Sequence, residues 1–162
     1  MKTISFNTFP LPLMNIVNDT LEYKKLSVAK KRQVACVIYD KEHFNILSLG
    51  YNHNIIDGNT RSCCEDSEGN TFPTVIHAEE NAIFNFLHEY NMEEINSNTV
   101  MITTFFPCWW CAKLIVQSKI RNLLFIDFKL SEQDTEMVEV LKYLEGNKVK
   151  VTHIVDVKQK EI

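Results

Sequence analysis

The sequence predicts an α/β fold in which a central mixed sheet of five strands lies between layers of helices. Short apolar runs rich in β-branched residues alternate with stretches whose apolar residues recur at helical spacing. In the second half of the chain this alternation favours parallel strands. In the first half, two strand-like runs follow each other directly, so we expect them to pair as an antiparallel hairpin.

The first half of the chain predicts one helix, the hairpin and a long loop. Apolar residues recur at a rough helical period over residues 11–29. Residues 34–39 and 45–51 are apolar runs separated by a polar break, which is typical of a hairpin. Residues 52–74 contain few hydrophobic side chains and many turn formers, so we expect a long loop of functional or mobile character.

The second half alternates helices and strands, and the whole chain then reads α-β-β-α-β-α-β-α-β. Proline at position 107 opens one of the helices, and Gly146 is expected to cap another. The predicted elements are helix 77–90, strand 99–105, helix 108–118, strand 122–128, helix 131–144 and strand 148–155.

Composition limits the number of domains and the classes of partner. The 162 residues, 45% of them hydrophobic, fit one domain over residues 1–162, and no repeat or linker divides them. The net charge of -4 is opposite in sign to that of most proteins that bind nucleic-acid backbones. No apolar run could span a membrane and no signal-peptide pattern is present, so we expect a cytoplasmic protein.

Two short motifs predict a metal centre. His77, Ala78 and Glu79 stand at one predicted helix start, and Pro107-Cys108-Trp109-Trp110-Cys111 stands at the next. Thiolates at positions i and i+3 share one face of a helical turn, and an imidazole from a neighbouring helix can supply a third ligand to a tetrahedral Zn²⁺. Three protein ligands leave the fourth position open, which is typical of a catalytic site.

The remaining cysteines leave a structural alternative open. A lone C-x-x-C is often a structural zinc knuckle or a redox pair. Cys63 or Cys64 could supply a fourth ligand to a structural zinc, and Cys63, Cys64 and one of His43, His53 or His88 could form a second, structural metal site. Cys36 lies inside an apolar strand and is interpreted as a core residue.

The H-x-E and P-C-x-x-C pair is the signature of zinc nucleobase deaminases. With the segments around residues 33–38 and 50–52, and with Ala112-Lys113-Leu114-Ile115, the chain resembles the deoxycytidylate deaminases of the cytidine deaminase superfamily. The resemblance covers about residues 27–126 and implies a cytidine deaminase-like α-β-α sandwich. It implies hydrolytic deamination of dCMP to dUMP, for thymidylate synthesis, with Glu79 moving protons between water, N3 and the leaving ammonia.

The resemblance also implies substrate contacts. Asn52 is expected to bind the sugar hydroxyl or the phosphate, although a loop asparagine is also a routine turn residue. Ser27, Lys31 and Arg32 are expected to bind the phosphate, although a charged run is usually a solvated face. Ala78 and Trp109 are expected at the base pocket, and packing against core or a subunit neighbour is the alternative for the tryptophan.

The resemblance further implies a homo-oligomer, for which the adjacent tryptophans offer apolar area. Residues 53–58 depart from the family's Gly-x-Pro-x-Gly pattern, which argues against regulation by dCTP or dTTP. The expected binding partner is a free nucleotide, and neither a membrane nor a nucleic acid is expected. Two other functions compete: a polynucleotide-editing cytosine deaminase, which requires a basic groove, and a non-catalytic zinc scaffold of the same fold.

Overall fold

The computed structural model describes residues 1–56, 58–127 and 135–157. These residues form nine strands and four α-helices. The elements are β1 (Lys2–Ser5), α1 (Leu11–Tyr23), β2 (Ala35–Asp40), β3 (Asn45–Tyr51), β4 (His53–Ile56), β5 (Asn59–Ser62), β6 (Val75–Ile76), α2 (Ala78–Glu89), β7 (Thr99–Phe105), α3 (Trp109–Gln117), β8 (Asn122–Asp127), α4 (Thr135–Gly146) and β9 (Lys150–Val155). No helix in these three stretches is both long and apolar enough to cross a bilayer.

The central sheet is mixed, as predicted, but it has six strands instead of five. Its order is β1-β9-β8-β7-β2-β3, with β1, β9, β8 and β7 parallel and with β2 antiparallel to both of its neighbours. The strand that sequence analysis missed is β1, which has four residues and none of them fully buried. Its backbone pairing with β9, more than 140 residues away, stabilises a segment whose local pattern is too weak to predict.

Alternate residues of the central strands face two hydrophobic cores, which confirms the layered α-β-α arrangement. In β2, Cys36 and Ile38 face the core shared with α2, α3 and α4. Val37 and Tyr39 face the opposite core, to which α1 contributes. This alternation follows from the two-residue period of a strand.

The first helix is shorter than predicted. It ends at Tyr23, a short 3-10 turn follows over Lys24–Leu26, and Ser27 is extended. The backbone N–H groups of Lys30 and Lys31 donate to the Glu65 side chain. A helix over residues 11–29 is therefore wrong, because the chain after residue 26 satisfies its polar groups through a distant carboxylate.

The predicted long loop contains a second, three-stranded sheet of order β5-β4-β6. Its strands have two to four residues, too few for a period-2 pattern to emerge. Asn54 is fully buried and ties the segment together, since its Nδ2 donates to the Cys63 carbonyl and its Oδ1 accepts the Thr74 hydroxyl. Side-chain hydrogen bonds stabilise this small sheet, whereas the packing of alternate hydrophobic residues stabilises the central sheet.

The other predicted boundaries hold to within two residues where the structure describes them. Residue 128, expected to end β8, and residues 131–134, expected to begin α4, lie outside the described residues. Gly146 is the last residue of α4 and not its left-handed cap. That conformation belongs to Lys148, whose φ is 65°.

Helix α2 approaches β3 more closely than a side chain on Gly50 would allow. A Cβ at Gly50 would lie 2.3 Å from the Ala82 backbone nitrogen and 2.4 Å from the Ala78 carbonyl oxygen. From α2, the Asn81 Nδ2 donates to the Tyr51 carbonyl at 3.0 Å. The first turn of α2 is thereby held against the end of β3.

Replacing Gly50 with alanine is expected to lower the free energy of unfolding by about 1–3 kcal/mol, because two backbone segments must separate. Urea unfolding measures this change. Gly146→Ala is the matched control, since a Cβ at Gly146 meets no atom within 4 Å and a helical alanine is at least as favourable as glycine. Equal stabilities for the two variants would contradict the close approach.

Candidate active site

A cavity of about 490 Å³ opens at the edge of the sheet where β7 ends and β2 begins. Its wall comes from the segment before β2, from the end of β3, from the segment between β5 and β6, from the start of α2 and from the end of β7. The lining residues are Lys31, Arg32, Val34, Asn52, Cys64, Glu65, Thr71, Val75, His77, Ala78, Glu79, Phe105, Phe106 and Cys108.

Three potential metal ligands meet at this cavity, as the two motifs predict. The His77 Nδ1 lies 3.5 Å from the Cys108 Sγ and 3.4 Å from the Cys111 Sγ. His77 precedes the first residue of α2, Cys108 precedes the first residue of α3, and Cys111 lies one turn into α3. The start of α2 is therefore brought against the first turn of α3.

The donor set fits a zinc ion. Zinc binds thiolate sulfur at about 2.3 Å and imidazole nitrogen at about 2.0–2.1 Å, so tetrahedral geometry places S and N about 3.6 Å apart. The observed 3.4 and 3.5 Å agree with that separation. Two thiolates and one imidazole form a borderline-soft set that zinc prefers to magnesium or calcium.

Elsewhere in the described part of the chain, the only other cluster of potential ligands is Asp40, Glu42 and His43. That cluster lies largely on the surface, where His43 pairs with Asp40 at 2.7 Å. Cys63 and Cys64 belong to neither cluster, so the structure does not assemble the second metal site considered above. Cys36 is fully buried in the core, as predicted.

Glu80 helps to fix His77, a role that sequence analysis did not assign. Its carboxylate accepts the backbone N–H of His77 at 3.4 Å and forms a capping box at the start of α2. Glu79 and Glu80 also place negative charge at the positive end of the helix dipole. The sequence signal for this role is the spacing of the two residues: Glu80 stands three residues after His77, which precedes the helix.

The two thiols differ in their readiness to ionise. Hydrogen bonds from Cys111 and from His77 lower the pKa of Cys108 to about 4. The pKa of Cys111 is raised by its hydrogen bond with Cys108 and by the burial of the thiol. The hydrogen bond with Cys108 also raises the pKa of His77. Cys108 therefore ionises first, and a bound cation favours ionisation of the second thiol.

Glu79 lies directly beside this cluster and is 4% exposed. Its Oε1 accepts the Thr103 hydroxyl at 3.4 Å, and its Oε2 accepts the Cys111 thiol at 3.3 Å. Burial raises the pKa of Glu79, and the nearby Cys108 raises it further. A raised pKa makes this carboxylate easier to protonate than an exposed glutamate.

Four of the six predicted substrate contacts line the cavity, namely Lys31, Arg32, Asn52 and Ala78. The Asn52 side chain binds the backbone of the segment before β2. Its Oδ1 accepts the Val34 N–H at 2.8 Å, and its Nδ2 donates to the Arg32 carbonyl at 2.9 Å. The Arg32 guanidinium stacks over the Phe105 ring, 3.7 Å from its centroid. Sequence analysis did not single out Phe105 or Phe106, because apolar residues at a strand end resemble core.

The other two predicted contacts, Ser27 and Trp109, do not line the cavity. Ser27 is 2% exposed and its hydroxyl accepts the Ala29 N–H. The Trp109 ring packs against Tyr143 of α4 at 5.5 Å, which is the packing alternative given above. Trp110 is 53% exposed, and the homo-oligomer stays a prediction.

Residues 13–127 match the family model described as the cytidine and deoxycytidylate deaminase zinc-binding region. A probable deoxycytidylate deaminase of Caenorhabditis elegans is 38% identical over 98 residues, covering 59% of this chain and 47% of that protein. Human deoxycytidylate deaminase is 32% identical over 112 residues, covering 63% of this chain and 57% of that protein. The chain thus spans about half the length of these relatives.

The fold is similar to that of a dCMP deaminase from the cyanophage S-TIM5, solved in complex with dCMP and dUMP. The TM-score is 0.71 at 23% sequence identity, and the match covers 90% of this chain and 98% of the phage protein. At that identity the likeness is one of fold. The comparison confirms the predicted cytidine deaminase-like architecture.

Proposed function

Because the chain belongs to the cytidine and deoxycytidylate deaminase zinc-binding family, as its two motifs predict, we propose that it hydrolyses dCMP to dUMP and ammonia. The activity of the C. elegans and human relatives and the ligands of the cyanophage structure support this substrate. The chain matches only part of those relatives, so the argument for its own substrate depends on the residues of its cavity.

One observation carries the proposal. A buried carboxylate, Glu79, lies beside three convergent metal ligands at a cavity that two cationic side chains, Lys31 and Arg32, also line. The inner groups suit amine hydrolysis, which needs an activated water and a proton carrier. The cationic groups suit a substrate with a phosphate.

His77, Cys108 and Cys111 would hold the zinc ion in this site. When bound, zinc supplies Lewis-acid chemistry that lowers the pKa of water toward ~7 and so provides a nucleophile at neutral pH. A zinc ion with three protein ligands would have one coordination position left for water, and Glu79 lies beside these ligands.

Glu79 performs the proton transfers. It takes a proton from the water that adds to C4 of cytosine and delivers it to N3 of the ring. It then takes the remaining proton from the hydroxyl on C4 and gives it to the amine, so that the C4–N bond breaks, ammonia leaves and the carbonyl of uracil forms. Its burial favours the protonated form needed to deliver the proton, and the hydrogen bond from the Thr103 hydroxyl orients its Oε1 atom.

Substrate orientation follows from the two kinds of group that line the cavity. The base binds beside Glu79 and the backbone of Ala78, and the 5′-phosphate binds Lys31 and Arg32. The Arg32 guanidinium carbon lies 3.7 Å from the centre of the Phe105 ring, and a guanidinium can form two hydrogen bonds to one phosphate. Asn52 acts here by holding the Arg32 and Val34 backbone.

The wild-type protein is expected to deaminate dCMP with a kcat/KM at least about tenfold above that for deoxycytidine, since a phosphate contact contributes roughly 1.5–3 kcal/mol. Steady-state rates of ammonia release on dCMP, dCTP, deoxycytidine and a cytosine-containing oligonucleotide measure this preference. Faster turnover of the oligonucleotide would favour the editing-type deaminase instead. Absence of turnover on all four, in zinc-loaded protein, would favour the scaffold.

Glu79→Gln is expected to keep about one zinc per chain while turnover falls by roughly 10²–10⁴, because only proton transfer is removed. Cys111→Ala is expected to lose both zinc and turnover, because a ligand is removed. Metal analysis by mass spectrometry and dCMP assays separate the two effects. Glu89→Gln, on the exposed end of the same helix, is the control that should change neither. Full zinc occupancy in Cys111→Ala would refute the ligand assignment.

Arg32→Ala and Lys31→Ala are each expected to lower kcat/KM for dCMP by about one to two powers of ten, because a charge-assisted hydrogen bond to the phosphate is lost. The rate on deoxycytidine, which has no phosphate, should change far less. Lys25→Ala is the matched control, since Lys25 pairs with Glu22 at 2.6 Å and does not line the cavity. Equal losses on both substrates would indicate a folding defect instead.

A further inference from the structure

Glu65 makes a contact that the proposed mechanism does not use. Its side chain comes from the segment between β5 and β6, is 5% exposed and lines the same cavity as Glu79. The Oε1 atom accepts the backbone N–H groups of Lys30 and Lys31, each at 3.1 Å. The Oε2 atom accepts the Lys30 N–H at 3.0 Å.

This contact is an internal anion site made of backbone. Successive N–H groups that point into one concavity bind anions, and here the anion is the side chain of Glu65 itself. A buried carboxylate is unfavourable unless hydrogen bonds compensate for lost hydration. The buried Glu65 carboxylate is therefore most stable when the backbone N–H groups of residues 30 and 31 stay hydrogen-bonded to it.

The held backbone carries the two cationic side chains that line the cavity. Immediately after residue 31, the Arg32 carbonyl accepts the Asn52 Nδ2 at 2.9 Å. The Gln33 Nε2 donates to the Ser27 carbonyl at 2.7 Å and closes the base of the same loop. Residues 30–32 are thus clamped by Glu65 on one side and by Asn52 on the other.

We propose that Glu65 is a positioning residue for phosphate recognition, which it achieves by holding residues 30–31 so that the side chains of Lys31 and Arg32 face the cavity. The inference rests on the proposed function, since it names the element that sets substrate selectivity at that site. Because the backbone N–H groups of Lys30 and Lys31 already donate to Glu65, the phosphate is bound by the side chains of Lys31 and Arg32 and not by these N–H groups. Glu65 itself does not touch the substrate.

The test compares phosphate selectivity, defined as the ratio of kcat/KM for dCMP to kcat/KM for deoxycytidine. In Glu65→Gln one oxygen becomes an NH₂ group, which opposes the Lys30 N–H, so the loop loses part of its anchor. The selectivity ratio is expected to fall about tenfold, mainly through a higher KM for dCMP. Glu65→Asp keeps the charge but is one methylene shorter, so an intermediate ratio is expected.

Glu68→Gln is the matched control, because Glu68 is exposed on the same segment and the change in charge is identical. Its ratio should equal that of the wild type. A purely structural role for Glu65 would lower the melting temperature and both kcat/KM values together, and an unchanged ratio in Glu65→Gln and Glu65→Asp would overturn the proposal. Loss of wild-type selectivity for dCMP would instead overturn the proposed function.

A double-substitution cycle tests whether Glu65 acts through the cationic side chains. If it does, Glu65→Gln should lower the selectivity ratio far less in an Arg32→Ala, Lys31→Ala background than in the wild type. Additive losses would show that Glu65 acts on the phosphate by another route, which also overturns the proposal. Zinc content, measured in every variant, should stay at the wild-type level.

Discussion

The buried carboxylate of Glu79 is the constraint on which the rest of the site depends. Away from water, a carboxylate beside two thiols is unfavourable unless nearby groups compensate for its charge. The Thr103 hydroxyl and the Cys111 thiol hydrogen-bond its two oxygens. His77, Cys108 and Cys111 form a cluster whose chemistry suits a divalent cation. The H-x-E and P-C-x-x-C motifs thus have a joint electrostatic reason: a cation held by the three ligands would compensate the charge of the buried glutamate, and burial raises the pKa of that glutamate.

The framework meets this requirement by bringing the starts of two helices to one edge of the sheet. Helix α3 follows β7 after a turn of three residues, so Cys108 lies close to where β7 ends. Helix α2 reaches the same place because it packs on β3 at Gly50, where only a hydrogen can occupy the space between strand and helix. Hydrogen bonds from Asn81 to Tyr51 and from Asn85 to Leu49 continue this contact along the helix. Metal-ligand geometry therefore rests on a backbone packing contact some distance from the ligands.

The sequence predicted functional groups that lie within a few residues of one another. It did not predict groups that come together from distant parts of the chain. His77 and Glu79, like Cys108 and Cys111, are two or three residues apart, and such spacing fixes the side of a helix start that each side chain occupies. The bond between Glu65 and the Lys30 amide joins residues 35 apart and uses a backbone donor, which has no residue signature. Ser27 and Trp109 were assigned to the cavity from their positions in the chain, but tertiary packing decides the direction of each side chain. Ser27 is buried, and Trp109 packs against Tyr143 of α4. Strand β1 was missed because its stability comes from a partner at the other end of the chain.

The cavity is lined by groups of both charges. Glu79 and Cys108 line it together with Lys31 and Arg32, and the Glu65 carboxylate, which also lines it, accepts hydrogen bonds from the amides of residues 30 and 31. Lysine and arginine attract a phosphate and a carboxylate repels one, so the proposed nucleotide would place its phosphate at the two cations and its base at Glu79. An extended polyanion would need cationic contacts along several nucleotides. One lysine and one arginine line the cavity and match a single phosphate, which favours a free nucleotide over a polymer.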